Sequence, residues 1–107
     1  GTGIPFLGHG DHARFLAEAG TVMREVAGIR RCGAASIDLA WVASGRLDGF
    51  WERSLKPWDM AAGILMIREA GGFVTDLSGR DRMLETGSVM AGNENVHKRL
   101  ATLLAKA

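Results

Sequence analysis

Asp59 follows Leu55-Lys56-Pro57-Trp58, and the run Glu69-Ala70-Gly71-Gly72 begins ten residues after it. Proline suits the first position of a helix, where no N–H is needed, so Pro57 opens a helix and Asp59 falls in its first turn. The unpaired amides and the positive end of the helix dipole there favour an ionised carboxylate. Gly71-Gly72 closes the same helix about four turns later. An aspartate fixed in this way suits the holding of a hard cation such as Mg²⁺ through oxygen. One carboxylate is not a metal site, and the rest of such a site is not evident in the chain. Glu52 lies seven residues before Asp59. The loop Arg53-Ser54-Leu55-Lys56 between them can bring a strand end and a helix start to one rim, where α/β sheets bind ligands. Two readings stay open from spacing alone: a shared ligand rim, or a solvated Glu52 beside an Asp59 that only caps its helix.

Gly33-Ala34-Ala35-Ser36 also reads as a strand-to-helix junction. Small residues there let a ligand approach backbone amides closely, and they equally let a helix pack tightly on a sheet. The segment is neither a G-x-G-x-x-G fingerprint nor a P-loop. His9, His12 and His97 have no metal-ligand spacing with one another or with Cys32; the first two read as loop residues and His97 as a solvated helix residue. Cys32 reads as a buried thiol without a base. Ser36 and Ser44 lack a triad context. Trp41, Trp51 and Trp58 read as core or interface anchors, and Arg24, Arg30 and Arg31 as an exposed charged face.

The elements that must position these residues alternate in type. Strands are expected at Ile4 to Leu7, Ile29 to Cys32, Leu47 to Trp51, Phe73 to Leu77 and Val89 to Ala91, with Met83-Leu84 as a short piece before the last. Helices are expected from the Asp11 cap to Val26, from Ala34 to Ser44 with Ile37, Ala40 and Trp41 on one face, from Pro57 to Ala70, and from an Asn93 or Asn95 cap to the C-terminus. Ser78-Gly79-Arg80-Asp81 reads as a hairpin-like turn. This is an α/β domain: a mixed β-sheet with helices packed on it.

The bulk composition narrows the function classes. A chain of 107 residues is one domain at most, and 47% hydrophobic with 23% charged residues is ordinary globular composition. A net charge of +1 gives no basic face for nucleic acid. One cysteine excludes an internal disulfide and fits a reducing, cytoplasmic setting. No apolar run approaches the roughly 18–20 residues of a membrane span. The chain opens at Gly1 with what reads as a strand in progress, so a piece of a longer chain is expected.

Taken together the segments resemble the C-terminal half of the inositol monophosphatase family. Trp58-Asp59-Met60-Ala61-Ala62-Gly63 through Glu69-Ala70-Gly71-Gly72 is similar to its signature W-D-x-x-[AG]-[AG] followed by E-A-G-G. Arg31-Cys32-Gly33-Ala34-Ala35-Ser36-Ile37-Asp38-Leu39 resembles R-x-G-[ST]-A-A-[LI]-D-L, and Gly45-Arg46-Leu47-Asp48-Gly49-Phe50-Trp51-Glu52 resembles G-R-x-D-[GA]-[FY]-x-E. Gly3-Ile4-Pro5-Phe6 and Ala91-Gly92-Asn93 match in order.

The resemblance implies the C-terminal half of a sugar-phosphatase fold, layered α-β-α-β-α, and a Mg²⁺-dependent, Li⁺-sensitive phosphomonoesterase. Asp59 would ligate magnesium, Glu52 would hydrogen-bond substrate hydroxyls, and Gly33, Ala34 and Ala35 would lie against the substrate ring. The implied substrate is inositol 1-phosphate or a related polyol phosphate, with histidinol phosphate, fructose 1,6-bisphosphate and 3′-phosphoadenosine 5′-phosphate as alternatives. The implied partners are the upstream half and, at full length, a second subunit in a homodimer. Ala34 stands where the family has Ser or Thr. The family's first carboxylate motif, its D-P-[LI]-D-G-[ST] motif and the threonine beside the nucleophilic water all lie upstream of the matched region. A full enzyme roughly 2.5 times this length is expected. The isolated chain is therefore read either as part of an enzyme or as a non-catalytic domain, and in both cases an apolar seam should face its missing partner.

Overall fold

The computed structural model describes residues 1–107. The elements run α1 (His12–Met23), α2 (Ala35–Ala43), β1 (Gly49–Glu52), α3 (Pro57–Glu69), β2 (Phe73–Thr75), α4 (Met83–Thr86), β3 (Val89–Gly92) and α5 (Glu94–Lys106). The three strands form one sheet in the order β1-β3-β2, with both pairings antiparallel. Phe50 and Val74 both pair with Ala91, and Trp51 and Thr75 both pair with Met90. The mixed character of the sheet is confined to one parallel bridge between Thr2 and Trp51.

Strand alternation sends successive side chains to opposite faces, and the core divides accordingly. On one face Phe50, Val89, Ala91 and Val74 pack under α2 and α3 with Leu39, Met60, Ile64 and Ile67. On the other, Trp51 and Met90 pack against Val22 of α1 and Leu100, Leu103 and Leu104 of α5. The chain is thus a three-layer α-β-α sandwich. Helices α2 and α3 approach closely at Gly63, where a Cβ would sit 2.5 Å from the Cβ of Leu39. A methyl there has no room.

The helix starts follow their caps. Asp11 accepts the Arg14 N–H at 3.0 Å, and Asn93 accepts the Val96 N–H at 2.8 Å. The expected Ser78–Asp81 turn is present, closed by the buried Asp76, whose Oδ1 accepts the Ser78 and Arg80 amides at 2.9 Å each.

Several expectations fail for identifiable reasons. Ile4 to Leu7 is not a strand: the Phe6 and His9 backbones bond to each other in a tight turn that leaves Leu7 99% exposed. Ile29 to Cys32 is irregular, held by one bond from the Thr2 N–H to the Arg30 carbonyl at 3.0 Å. Helix α1 stops at Met23, three residues short of Val26. Met83 and Leu84 start a helical turn rather than a strand, ended by Gly87 with φ +73°. In α2 the buried residues are Ala35, Asp38 and Leu39, while Ile37 is exposed. The sequence of α2 is apolar almost all round, so no stripe marks which side faces inward.

Candidate active site

Helix α3 delivers Asp59 as expected. Lys56 is the extended N-cap residue, Pro57 occupies the first turn, and Asp59 Oδ2 accepts the Lys56 N–H at 2.9 Å. One carboxylate oxygen therefore serves the helix end, and Oδ1 takes no hydrogen bond within the chain. Capping and ligand binding are compatible here, because they use different oxygens.

Glu52 ends β1 and projects to the α2/α3 side of the sheet, the side taken by Phe50 two residues before it. Its backbone turns away through Ser54, a non-glycine residue at φ +62°. That left-handed turn lets the short loop return to Lys56 and the start of α3. Burial pushes the Glu52 carboxyl up to about 7, with the nearby charges of Asp38 and Asp59 adding to it and Arg31 opposing. Glu52 and Asp59 thus share one electrostatic neighbourhood. Gly3 closes over Glu52: a Cβ on Gly3 would fall within 2.0 Å of the Glu52 carboxyl carbon.

Asp38 is the group that residue spacing alone did not single out. It sits in the first turn of α2, is 1% exposed, and neither carboxylate oxygen has a hydrogen-bond partner among N and O groups. Burial raises its pKa, while the neighbouring Cys32 thiol and the positive charge of the chain's N-terminus act to lower it. The available signal was its position as the one charged residue in the apolar run Ala35–Ala43. Buried carboxylates without donors are rare and expensive. The charges of Asp38 from α2 and Asp59 from α3 both act on Glu52 at the end of β1.

Gly33 takes a left-handed φ of +88° immediately before α2. Ala34 is the extended N-cap residue and offers no side-chain cap, and Ala35 is the first helical residue and is buried. The Ala34 carbonyl accepts the amides of Ile37 and Asp38. The amides of Ala35 and Ser36 precede those bonds and stay free for an outside acceptor. Ala34 lacks the hydroxyl that would cap them.

No group of three or more His, Cys, Asp or Glu side chains is arranged to hold a metal ion within the chain. Asp59 Oδ1 can supply one oxygen. Magnesium is often held by only one or two carboxylates with water and phosphate completing its shell, so Asp59 fits as one ligand of a set completed from elsewhere. The remaining candidates are placed outside this corner. Cys32 is exposed rather than buried. His97 is not a solvated residue: its Nε2 lies 2.8 Å from Thr75 Oγ1, and burial lowers its pKa. Trp51 is buried in the core, whereas Trp58 is 77% exposed.

The model of the inositol monophosphatase family matches residues 8–107. The chain belongs to the inositol monophosphatase family. Inositol-1-monophosphatase of Rhizobium meliloti is 58% identical over 106 residues, covering 99% of this chain and 40% of the relative. Nus factor SuhB of Pseudomonas aeruginosa is 47% identical over 106 residues, with 39% of the relative covered. Among solved structures, the extragenic suppressor protein suhB of Bartonella henselae superposes with a TM-score of 0.95 at 53% identity over 99% of this chain and 40% of that one. Inositol monophosphatase of Anabaena superposes with a TM-score of 0.85 at 36% identity, over 99% and 42%. The chain therefore spans about 40% of the length of these inositol monophosphatase-family relatives. No helix is long and apolar enough to cross a membrane.

Proposed function

We propose that this chain forms the C-terminal part of a Mg²⁺-dependent phosphomonoesterase that hydrolyses inositol 1-phosphate or a closely related polyol phosphate. The observation that carries the reading is the convergence of Glu52, Asp59 and the uncapped start of α2 on one corner, in a chain of this phosphatase family. Each residue has a chemical task. Asp59 Oδ1 offers a carboxylate oxygen to the cation, held steady because Oδ2 is tied to the Lys56 amide. Glu52 accepts hydrogen bonds from substrate hydroxyls; bonds to a carboxylate are roughly twice as strong as neutral ones. Gly33, Ala34 and Ala35 give the ring a smooth wall, and the free amides of Ala35 and Ser36 provide donors beside it. Magnesium, when bound, polarises the phosphoryl group and stabilises the leaving alkoxide.

The other ligands and the residue that activates water come from upstream sequence, so the isolated chain is inactive and the complete gene product is a homodimeric, Li⁺-sensitive cytoplasmic enzyme. The test is phosphate release from inositol 1-phosphate by the complete gene product and by this chain alone, with and without Mg²⁺, beside Asp59→Asn. The expected result is Mg²⁺-dependent release by the complete product only, reduced at least about 100-fold by Asp59→Asn, as for loss of a charge-stabilising group. Near-normal turnover of the variant at saturating Mg²⁺ rejects the metal role of Asp59. No release by the complete product, with or without Mg²⁺, rejects the phosphatase reading.

A further inference from the structure

We infer that Glu18 of α1 is a positioning residue for Glu52, acting through the two residues on either side of it. Glu18 is 2% exposed, in a helix whose outer residues are solvated. One carboxylate oxygen accepts the indole N–H of Trp51 at 2.9 Å, and the other accepts the Nε–H of Arg53 at 2.7 Å. Arg14, one turn earlier on the same helix, lies 3.4 Å from the second oxygen. A buried carboxylate is tolerated only when paired and hydrogen-bonded, and here both bonds go to β1 and the residue that follows it.

Trp51 and Arg53 share the α1 face, and Glu52 between them faces α2 and α3. Glu18 therefore grips the strand end from behind, on both sides of the residue that faces the site. The backbone is fixed independently one residue earlier, where Thr2 Oγ1 donates to the Trp51 carbonyl at 2.8 Å. Beyond Arg53 the chain enters the left-handed Ser54 turn. Arg53 is thus the last point at which the strand end can be anchored before it bends toward Asp59. A small recess walled by Gly3, Phe15, Glu18, Arg53 and Ser54 adjoins Glu52, so a shift of the Arg53 side chain is felt there directly.

A core position would ordinarily take an apolar residue there, as Phe15 one turn earlier on α1 does. The carboxylate is explained by what it orients. The role rests on the reading of Glu52 as the acceptor of substrate hydroxyls, and it predicts an effect confined to substrates that carry those hydroxyls.

The experiment compares kcat/KM for inositol 1-phosphate with kcat/KM for p-nitrophenyl phosphate, in the complete gene product with Mg²⁺. The variants are Glu18→Gln, Arg53→Lys and, as reference, Glu52→Gln. Glu18→Gln keeps an oxygen for the indole but loses the charge that holds Arg53. The ratio of the two constants does not change when a variant merely lowers the folded fraction. Glu18→Gln is expected to lower it about tenfold, through KM for inositol 1-phosphate, as expected for loss of a charge-assisted hydrogen bond. Arg53→Lys, which cannot reproduce the guanidinium geometry, should move it in the same direction. A lowered ratio for Glu52→Gln with an unchanged ratio for Glu18→Gln overturns the positioning role and leaves the phosphatase reading standing. An unchanged ratio for Glu52→Gln removes the hydroxyl-acceptor role and this inference with it. No turnover of either substrate by the unaltered protein removes the phosphatase reading as well.

Discussion

Replacing Glu52 by Gln should stabilise the metal-free chain while damaging substrate binding, and the pH dependence of the gain is set by the structure. Burial and the charges of Asp38 and Asp59 hold the folded carboxyl at about 7, against an ordinary value of 4.5. Between those values the folded chain keeps a proton that the unfolded chain has released. The unfolded state then binds fewer protons, so stability is fully present below about 4.5 and is lost as pH rises through about 7. At 1.36 kcal/mol per pKa unit, the loss has an upper bound of about 3.4 kcal/mol. The side chain is only partly buried, and solvent screening reduces this to about 1–2 kcal/mol. Gln mimics the protonated carboxyl and never takes the charge. In urea titrations with EDTA, Glu52→Gln should match the wild-type chain near pH 4.5 and exceed it by about 1–2 kcal/mol at pH 8. With a typical m-value of 1–3 kcal/mol/M, the midpoint moves by up to about 1–2 M urea. Asp38→Asn removes one of the two like charges and should shrink the pH-dependent part, with coupling visible in the double variant. A constant difference between the two pH values, or a less stable Glu52→Gln at pH 8, would refute the claim that these carboxylates repel one another.

Two further outcomes follow from packing. Gly63→Ala places a methyl 2.5 Å from the Leu39 Cβ; overpacking at so short a separation falls at the upper end of its usual range, about 2–3 kcal/mol, only partly offset by about 1 kcal/mol of helix propensity. A fall in Tm of at least about 4 °C is expected by calorimetry, and an unchanged or raised Tm would mean that the helices do not approach as described. On the outer side of the same helices Ile37, Trp58, Leu65 and Met66 are exposed, so the isolated chain should self-associate through this apolar surface. Light scattering that finds a concentration-independent monomer would count against an unpartnered seam there.

What was legible in the sequence depended on whether a local signal existed. Helix starts at Asp11 and Pro57 were readable, and that of α5 to one of two asparagines of which Asn93 is the cap, because a cap acts on amides only three or four positions away. The end of α3 was readable from Gly71, which sits at φ +82°. The sheet was harder. Leu47 to Trp51 and Phe73 to Leu77 shrink to four and three residues, because strand length is set by the partner. β3 is only four residues long and pairs on both edges. Ile29 to Cys32, whose one strong strand former is Ile29, finds one Thr2 amide instead of a ladder.

The site divides in the same way. Glu52 and Asp59 were visible as a pair because the loop between them is short, and the left-handed Ser54 that closes it left no mark in composition. Asp38 and Glu18 are the instructive cases. Each is a carboxylate almost wholly removed from solvent in a helix, and each departs from the apolar pattern expected at a core position. Such a departure costs stability wherever it is not offset, so it marks a position where something other than packing has decided the residue. For Glu18 the offset is within the chain, in Trp51 and Arg53. For Asp38 no hydrogen bond offsets it; the nearby positive charge of the chain's N-terminus does so only in part. Its unpaired oxygens belong to the same corner as Glu52 and Asp59. The charge they carry is felt at Glu52, so a carboxylate buried in α2 reaches the site through its field rather than by contact.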